Sequence, residues 1–308
     1  MNPEVSIVMS VYNGGARLRA TVESVLAQTD ENFELIVIDD GSTDESAAIL
    51  DAIADPRVRV VHQENRGLTR ALITGCEMAQ GRLIARQDAG DLSLALRLAK
   101  QRRALDADPS LAFVSCWTEY IGPEDEPLWT GRGTGFAAEP RHVLDMTKEW
   151  GMADGPSHHG SVMFRADAYR DAGGYRAEFR YGQDWDLWYR LASLGKFQMI
   201  AEPLYAARIE PSSISSSARR AQQVLATLSL AAAKARAEGR SDADIVSQAA
   251  AIRKSGSPLC AEARGLYFIG EALRRRGDAR ARGYFLRAIR SCPAHVKAWL
   301  RCAQTLLR

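Results

Sequence analysis

Short apolar runs alternate with segments of helical periodicity over roughly the first 90 residues of the chain. Residues 5–11, 33–38 and 58–61 are rich in β-branched apolar side chains, which is typical of strands. Apolar residues recur at helical spacing in segments 18–26 and 68–79. Strands that alternate with helices form a parallel sheet with helices on both faces. We therefore predict an α/β chain with a doubly wound parallel sheet.

Polar side chains cluster where three of the predicted strands end. Residues 10–13 follow the first strand, residues 39–44 follow the second, and residues 88–91 follow a strand that begins at Leu83. The carboxyl ends of parallel strands lie at one edge of a sheet, and ligands bind beyond that edge. We therefore expect these three clusters to share one rim.

The alternation is less regular beyond Asp91. The predicted elements there are helices at 97–105, 165–172 and 183–194, strands at 112–117 and 161–164, and a serine-rich loop at 210–217. We expect that loop to act as a flexible lid or a linker.

Charge is distributed unevenly along the chain. Residues 1–217 hold 22 basic and 32 acidic residues, a net charge of −10, whereas residues 218–308 hold 18 and 6, a net charge of +12. Strand signals stop at the same place, so we predict two domains, 1–217 and 218–308. The basic region either binds anionic lipid or an acidic partner, or is a solvated helix surface lying against the acidic half. Aromatic residues are not interleaved with the basic ones, so nucleic acid is not an expected partner.

The C-terminal segment 263–307 has the pattern of a helical hairpin. Small and large apolar residues alternate at helical spacing, Gly277-Asp278 separates two helices, and Pro293 follows the second. This is similar to a tetratricopeptide-type hairpin, with about one and a half units at most. Because one such pair cannot bury its faces alone, we expect it to pack on the main domain or on a partner.

Neither a membrane span nor a disulfide framework is expected. The chain has no apolar run of about 18 residues, and its N-terminus lacks the parts of a signal peptide, so we predict a cytoplasmic protein. The cysteine count is odd and no CxxC pair occurs, which favours small buried thiols over disulfides or a zinc site. The cysteines are Cys76, Cys116, Cys260, Cys292 and Cys302.

Five motifs carry a resemblance to a known family. The chain reads Val5-Ser-Ile-Val-Met-Ser-Val-Tyr-Asn-Gly14, Ile36-Val-Ile-Asp-Asp-Gly-Ser-Thr-Asp44, Glu64-Asn-Arg-Gly-Leu68, Ala85-Arg-Gln-Asp-Ala-Gly-Asp91 and Gln183-Asp-Trp-Asp-Leu-Trp188. In this order and spacing they resemble glycosyltransferase family 2 over roughly residues 4–217. The resemblance implies the GT-A fold, whose doubly wound sheet is mixed but mostly parallel, with a small all-α segment following it in this chain. It also implies inversion at the transferred sugar, a nucleotide diphosphate sugar donor of UDP or dTDP type, and a hydroxyl acceptor.

The resemblance also implies a nucleotide site at the predicted rim. Tyr12 would offer a ring face to the base, and Asp40 would accept its imide N–H, while Asp39 points the other way along the strand. A core aromatic is the alternative for Tyr12, and a solvated arginine is the alternative for Arg70, which could otherwise reach a phosphate. The nucleotide-binding set is Ser10, Tyr12, Asn13, Asp39, Asp40, Arg70 and Asp88.

A metal site is expected at residues 88–91. The departing diphosphate needs a cation, and Mg²⁺ and Mn²⁺ prefer carboxylate oxygens, so Asp88 and Asp91 are the candidate ligands. A helix cap plus a turn aspartate is the alternative. The family's usual motif is Asp-x-Asp, but Gly90 stands at the position of its last Asp. Either Asp91 takes over that role, or fewer protein ligands hold the metal, or activity is weakened.

Asp184 matches the family's general base, which removes a proton from the acceptor hydroxyl. Trp185 either stacks on a sugar or packs in the fold. A histidine of the pair at 158–159, His159 in particular, would assist the diphosphate or be structural. Arg208, together with residues 213–217, would close over the diphosphate.

The chain lacks the Gln-x-x-Arg-Trp signature of processive synthases, so we expect one transfer per encounter. The expected acceptor is a lipid-linked or growing surface glycan, with the basic C-terminal region near the membrane. Two other functions stay open. One is a sugar nucleotidyltransferase, although residues 14–17 are too short for its glycine-rich loop. The other is a catalytically weak nucleotide-sugar-binding scaffold, which Gly90 suggests.

Overall fold

The computed structural model describes residues 2–133, 155–211, 219–253 and 260–305. The chain forms two compact units, each assembled from separate stretches. The first unit takes in Met1–Thr118, Gly131–Ala207 and Val224–Ile252, and the second takes in Glu119–Thr130, Arg208–Gln223 and Arg253–Arg308. The predicted boundary at 217/218, and most of the predicted loop at 210–217, lie outside the described residues. The division into domains 1–217 and 218–308 stays a prediction.

A mixed sheet forms the centre of the fold. Its strands are β1 (Val5–Val11), β2 (Phe33–Asp39), β3 (Val58–His62), β4 (Leu83–Asp88), β5 (Leu92–Ser93), β6 (Leu111–Ile121), β7 (Pro127–Gly131), β8 (Met163–Arg165) and β9 (Lys196–Arg208). They lie in the order β3-β2-β1-β4-β8-β6-β9-β5, and β7 pairs with β6. Strands β1 to β4 pair in parallel, whereas β8 is antiparallel to β4 and β6, and β5 is antiparallel to β9. The predicted α/β class with a mixed sheet is confirmed.

Helices follow most of the strands. They are α1 (Arg17–Leu26), α2 (Ser46–Asp51), α3 (Leu68–Glu77), α4 (Arg97–Ala107), α5 (Ala166–Asp171), α6 (Gln183–Ala192), α7 (Arg219–Ala237), α8 (Ala243–Ala251), α9 (Ala261–Arg275), α10 (Ala281–Ser291) and α11 (Val296–Gln304). None of the helices in the described ranges combines the length and apolarity needed to cross a membrane.

Alternate side chains of β1 enter two cores, one on each face of the sheet. Val8 belongs to a core shared with α3 and α6, while Ile7 and Met9 belong to a core shared with α1 and α4. This is the consequence of side chains pointing to opposite faces at successive strand positions. Both faces are therefore covered by helices, as the apolar runs in the sequence predict.

The strand register brings the polar strand ends together. Ser10 on β1 pairs with Asp88 on β4, and Val11 pairs with Asp39 on β2. Asp39 and Asp88 thus lie at the same end of the sheet, two strands apart with β1 between them.

The second unit has its own core, built by α9, α10 and α11 together with Leu128. Within it a disulfide joins Cys260 to Cys292, whose Cα atoms are 5.4 Å apart. The prediction of thiols throughout is therefore wrong for these two residues, because a helical hairpin brings together cysteines that are 32 positions apart in the chain. Cys76, Cys116 and Cys302 are buried free thiols, as predicted.

Three strands are absent from the sequence-based prediction: β5, β7 and β9. The largest, β9, alternates buried and less buried residues from Phe197 to Met199 and then carries a continuous buried run at 204–207. Its mixed pattern follows from its changing surroundings along 13 residues.

Candidate active site

A tight turn connects Asp88, the last residue of β4, to Asp91. The Asp91 amide donates to the Asp88 carbonyl (3.3 Å), and Gly90, the third residue of this turn, has a φ of +95°. Such a φ favours glycine, because a Cβ atom makes this region of backbone space costly. The turn therefore explains Gly90, and it brings the side chains at its first and last positions to one place.

Asp88, Asp91 and His158 form a compact cluster of ligand-type atoms. One atom from each lies within 4.8 Å of the others, and His158 Nδ1 is 3.8 Å from Asp88 Oδ2 and 3.7 Å from Asp91 Oδ2. Ligand atoms bound at roughly 2.1 Å to one divalent ion lie about 3–4 Å apart. Two carboxylates and an imidazole in this arrangement could hold such an ion, for which His158 Nδ1 would give up the hydrogen bond that it accepts from the Gly160 amide (3.1 Å). We call this set the Asp88 cluster.

A buried arginine supports the Asp88 cluster from behind. Arg86 is fully buried, and its guanidinium donates to the Asp88 carboxylate and to the carbonyls of Val8 and Gln87. Burial opposes ionisation of Asp88, but Arg86 and the neighbouring basic side chains together outweigh it and hold the pKa of that carboxyl below its ordinary value. Asp88 is therefore an anion over the physiological pH range.

His158 lies in the Asp88 cluster, whereas His159, the histidine favoured by the sequence, lies behind it. His159 Nε2 is 2.8 Å from the Tyr175 hydroxyl and 3.4 Å from Arg86 Nε. Burial, reinforced by the Arg86 charge, lowers the pKa of His159 to about 3, so its ring is neutral. His159 thus belongs to the buried layer that supports Arg86.

Tyr205, on β9, contacts every member of the Asp88 cluster. Its hydroxyl is 2.9 Å from Asp91 Oδ2 and 3.0 Å from the Asp88 amide nitrogen, and its ring stacks on His158 with centroids 5.5 Å apart. Tyr205 is not among the residues predicted from the sequence, because β9 is not among the predicted strands. The alternation of Phe197 and Met199 was the available signal.

Asp184 occupies the first turn of α6, where the helix dipole favours an acidic residue. Its Oδ1 accepts a hydrogen bond from the Trp185 amide (3.0 Å). Burial, with a further contribution from the negative charge of Asp88, raises the pKa of Asp184 to about 6. The charges of Asp88 and Asp184 therefore influence one another.

Asp40 is buried beneath a loop that runs from residue 63 to 67. Its Oδ1 accepts hydrogen bonds from Gln63 Nε2 (2.6 Å) and the Arg66 amide (2.9 Å), and its Oδ2 accepts one from the Gly67 amide (2.8 Å). Asp40 therefore fixes the path of that loop next to the end of β2.

Asp39 points away from Asp40, as expected for neighbours in a strand. Its carboxylate accepts from the Ser42 amide (3.1 Å) and pairs with His62 Nδ1 (2.8 Å). The second nitrogen of His62 pairs with Asp51 (3.0 Å). Asp39 thus holds the turn after β2 in shape.

The residues after β1 lie at the rim. Tyr12 is 54% exposed, so the alternative of a core aromatic is wrong. Asn13 Oδ1 accepts from the Thr43 amide (2.8 Å), which ties the end of β1 to the turn after β2. Ser10 is half-buried beside Asp88 in the register.

The other predicted contacts are Arg70, Trp185 and Arg208. Arg70 is exposed on α3. Trp185 is half-buried, and its ring packs edge-on against Trp188 at 5.1 Å. Arg208 belongs to the second unit, where it pairs with Asp125 (2.6 Å). Residues 213–217, predicted to act with Arg208, lie outside the described residues.

Comparison with known proteins agrees with this arrangement. Residues 6–171 match the model of glycosyl transferase family 2. EpsE of Bacillus subtilis, a protein named as a glycosyltransferase, is 34% identical over 217 residues, covering 67% of this chain and 73% of EpsE. The glycosyltransferase GlyG of Streptococcus pneumoniae is 41% identical over 114 residues, covering 35% of this chain and 38% of GlyG.

Solved structures show the same fold. TarS of S. aureus, residues 1–349, in complex with UDP has a TM-score of 0.57 at 15% identity, covering 93% of this chain and 75% of that one. The same protein in complex with UDP-GlcNAc also has a TM-score of 0.57, covering 92% and 84%.

These matches and the site define an enzyme that transfers sugars. The chain belongs to glycosyl transferase family 2 and is a glycosyltransferase.

Proposed function

We propose that this enzyme moves one sugar per encounter, with inversion, from a nucleoside diphosphate sugar to a hydroxyl acceptor. The observation that carries the proposal is the combination of the Asp88 cluster with a second carboxylate, Asp184, whose pKa is raised to about 6. The Asp88 cluster suits a diphosphate bridged by a cation, and Asp184 suits removal of a proton near neutral pH.

The Asp88 cluster is suited to a divalent cation. Carboxylate oxygens suit Mg²⁺ and Mn²⁺, and the imidazole of His158 makes the set a mixed one that favours Mn²⁺ over Mg²⁺. When bound there, the cation would neutralise charge that builds up on the departing diphosphate. The turn that brings Asp91 beside Asp88 favours an active enzyme over the nucleotide-sugar-binding scaffold that Gly90 suggested.

Recognition of the nucleotide falls to residues after β1 and β2. The exposed ring of Tyr12 offers a stacking face for a base. Asp40 Oδ1 already accepts two hydrogen bonds, but Oδ2 accepts one and retains a lone pair for the imide N–H of uracil or thymine. The TarS complexes with UDP and UDP-GlcNAc support a donor of this type. Ser10, Asn13 and Arg70 are further candidates for the ribose and phosphates.

Asp184 acts as the general base in this proposal. The acceptor oxygen forms a bond to the anomeric carbon while the bond from that carbon to the diphosphate oxygen breaks. The hydroxyl proton passes to Asp184, and the bonding electron pair leaves with the diphosphate. A single displacement from the opposite face inverts the configuration. A pKa of about 6 leaves Asp184 ionised at pH 7 yet basic enough to accept the proton.

Replacing Asp184 tests the base. Asp184→Asn should lower release of nucleoside diphosphate by roughly 10²–10⁴-fold, measured with Mn²⁺ and a panel of nucleotide sugars, while donor binding is unchanged. Asp171→Asn, an exposed aspartate on α5, is the matched control and should behave as wild type. Equal rates in wild type and Asp184→Asn would refute the assignment.

The same assay separates the other functions. Pyrophosphate exchange without sugar transfer would identify a nucleotidyltransferase. Binding of nucleotide sugar with neither reaction would identify a scaffold.

The acceptor is proposed to be a lipid-linked or growing surface glycan. The net charge of +12 over residues 218–308 supports attraction to an anionic membrane surface or an acidic partner. The packed pair α9 and α10, followed by α11, supports a tetratricopeptide-like arrangement that carries part of this charge. Sedimentation of the full chain with anionic and with neutral vesicles tests the membrane contact, and equal recovery with both would exclude it.

A further inference from the structure

Tyr205 contacts all three members of the Asp88 cluster without belonging to its ligand set. Its hydroxyl is 2.9 Å from Asp91 Oδ2 and 3.0 Å from the Asp88 amide nitrogen. A backbone N–H can only donate, so the hydroxyl accepts from Asp88 and its single proton points to Asp91. The direction of both hydrogen bonds is therefore fixed.

The hydrogen bond to Asp91 selects one oxygen of that carboxylate. The same Oδ2 that accepts from Tyr205 lies 3.7 Å from His158 Nδ1. Rotation of the carboxylate would break the bond to Tyr205, so the bond holds that oxygen toward the histidine. The Tyr205 ring also stacks on the His158 ring, and this contact restrains the imidazole ligand.

Tyr205 is itself held rigidly. The Arg97 guanidinium lies 4.9 Å from the centre of its ring, and Gln87 Nε2 lies 3.4 Å from its hydroxyl oxygen. Arg97 in turn donates to Gln87 Oε1 (3.2 Å) and to Ser93 Oγ (2.7 Å). A fully buried tyrosine fixed from both sides loses little further freedom when it orients a ligand.

Gly160 leaves room for the hydroxyl of Tyr205. A Cβ atom at position 160 would lie 2.0 Å from the Tyr205 oxygen, and the Gly160 amide donates to His158 Nδ1 (3.1 Å). The absence of a side chain at this position is therefore needed for the tyrosine to reach Asp91.

We propose that Tyr205 is a positioning residue that makes Asp91, three residues after Asp88, the second carboxylate ligand in place of the residue at position 90. It does so through its hydrogen bond to Asp91, its hydrogen bond to the Asp88 amide and its stacking on His158. The inference rests on the proposed function, because it takes the Asp88 cluster to be the cation site.

Tyr205→Phe tests the inference, with Mn²⁺ alone as the probe. Loss of such a supporting group typically weakens metal affinity roughly 10–100-fold, and we expect that weakening in Kd from calorimetry and from the electron paramagnetic resonance of unbound Mn²⁺. Activity should recover as Mn²⁺ is raised, because the ligands themselves remain. Tyr169→Phe is the matched control, since it removes a buried hydroxyl that accepts from the Tyr175 amide (3.1 Å) without touching the Asp88 cluster.

A second variant keeps the test decisive if Tyr205→Phe does not fold. Gly160→Ala retains the tyrosine but displaces its hydroxyl, and it should also weaken Mn²⁺ binding relative to Tyr169→Phe. If Tyr205→Phe and Gly160→Ala fold and bind Mn²⁺ with wild-type affinity while Asp91→Asn binds it more weakly, the role of Tyr205 is overturned. The assignment of the cation site is then unaffected. Unchanged affinity in Asp91→Asn as well would overturn the cation site, while the Asp184 proposal would still depend on its own assay.

Discussion

The raised pKa of Asp184 leads us to a prediction about the free energy of unfolding that is independent of any substrate. An aspartate whose folded-state pKa lies above its unfolded value of about 3.8 takes up a proton on folding between those two pH values. Its ionisation therefore destabilises the folded state, and this cost grows as pH rises from about 4 to about 6 and is then constant. Asp184→Asn removes the ionisation and with it the cost.

The size of the effect follows from the shift. A rise from 3.8 to about 6 is about two pKa units, and each unit corresponds to about 1.4 kcal/mol. Asp184→Asn should therefore stabilise the first unit above pH 6 by up to about 3 kcal/mol relative to wild type. At pH 4 the aspartate is largely protonated in the folded state, so this advantage disappears. The variant that loses activity is thus expected to be the more stable one at neutral pH.

Urea unfolding with EDTA present, followed by tryptophan fluorescence at pH 4 and pH 7.5, measures this difference. EDTA keeps cations from the Asp88 cluster, since a bound cation would lower the pKa of Asp184. Asp171→Asn serves as the control for replacing an exposed aspartate. A stability difference between Asp184→Asn and wild type that is the same at both pH values would refute the reasoning, because it would show that the ionisation of Asp184 carries no cost in the folded state.

Two further predictions follow from the same site and from the backbone. Since Asp184 must be ionised to act as a base, kcat/KM should rise about tenfold between pH 5 and pH 7. The midpoint of this rise should lie near pH 6, or somewhat below when Mn²⁺ is bound. A value of kcat/KM that does not change over this range would contradict the assignment of Asp184 as the base. Gly90→Ala should destabilise the chain by about 1 kcal/mol because φ is +95° at that position. Gly283→Ala in α10 should instead stabilise it by about 0.5–1 kcal/mol, because a Cβ atom there meets nothing within 4 Å. Thermal unfolding of both variants checks that their changes in stability have opposite signs.

The parallel half of the fold could be predicted because its signals are local. The run at 5–11 became β1 with the same bounds, and the segments at 33–38 and 68–79 became β2 and α3 with ends shifted by one or two residues. The periods of strands and helices decide such elements wherever one face is buried. The position of the polar clusters after parallel strands also placed Asp39 and Asp88 at one end of the sheet.

The support of the Asp88 cluster could not be predicted in the same way. Tyr205 reaches Asp91 from 114 positions further along the chain. Nothing near Tyr205 in sequence records that meeting, which depends on the antiparallel strand β9 pairing in the same sheet. Which of His158 and His159 joins the Asp88 cluster also depends on the folded backbone. His158 is extended and His159 begins a helical turn, so the two rings point to different surroundings.

The sequence by itself determined which groups are available: apolar periods for the strands, carboxylates at strand ends, and a glycine where the turn at 88–91 needs a positive φ. The tertiary structure alone decided which of those groups meet, namely that Asp91 and His158 join Asp88 and that Tyr205 and Arg86 hold them. The physical reason is that chain periodicity is a short-range property. Burial, long-range strand pairing and the electrostatic influence of one carboxylate on another exist only once distant segments are packed together.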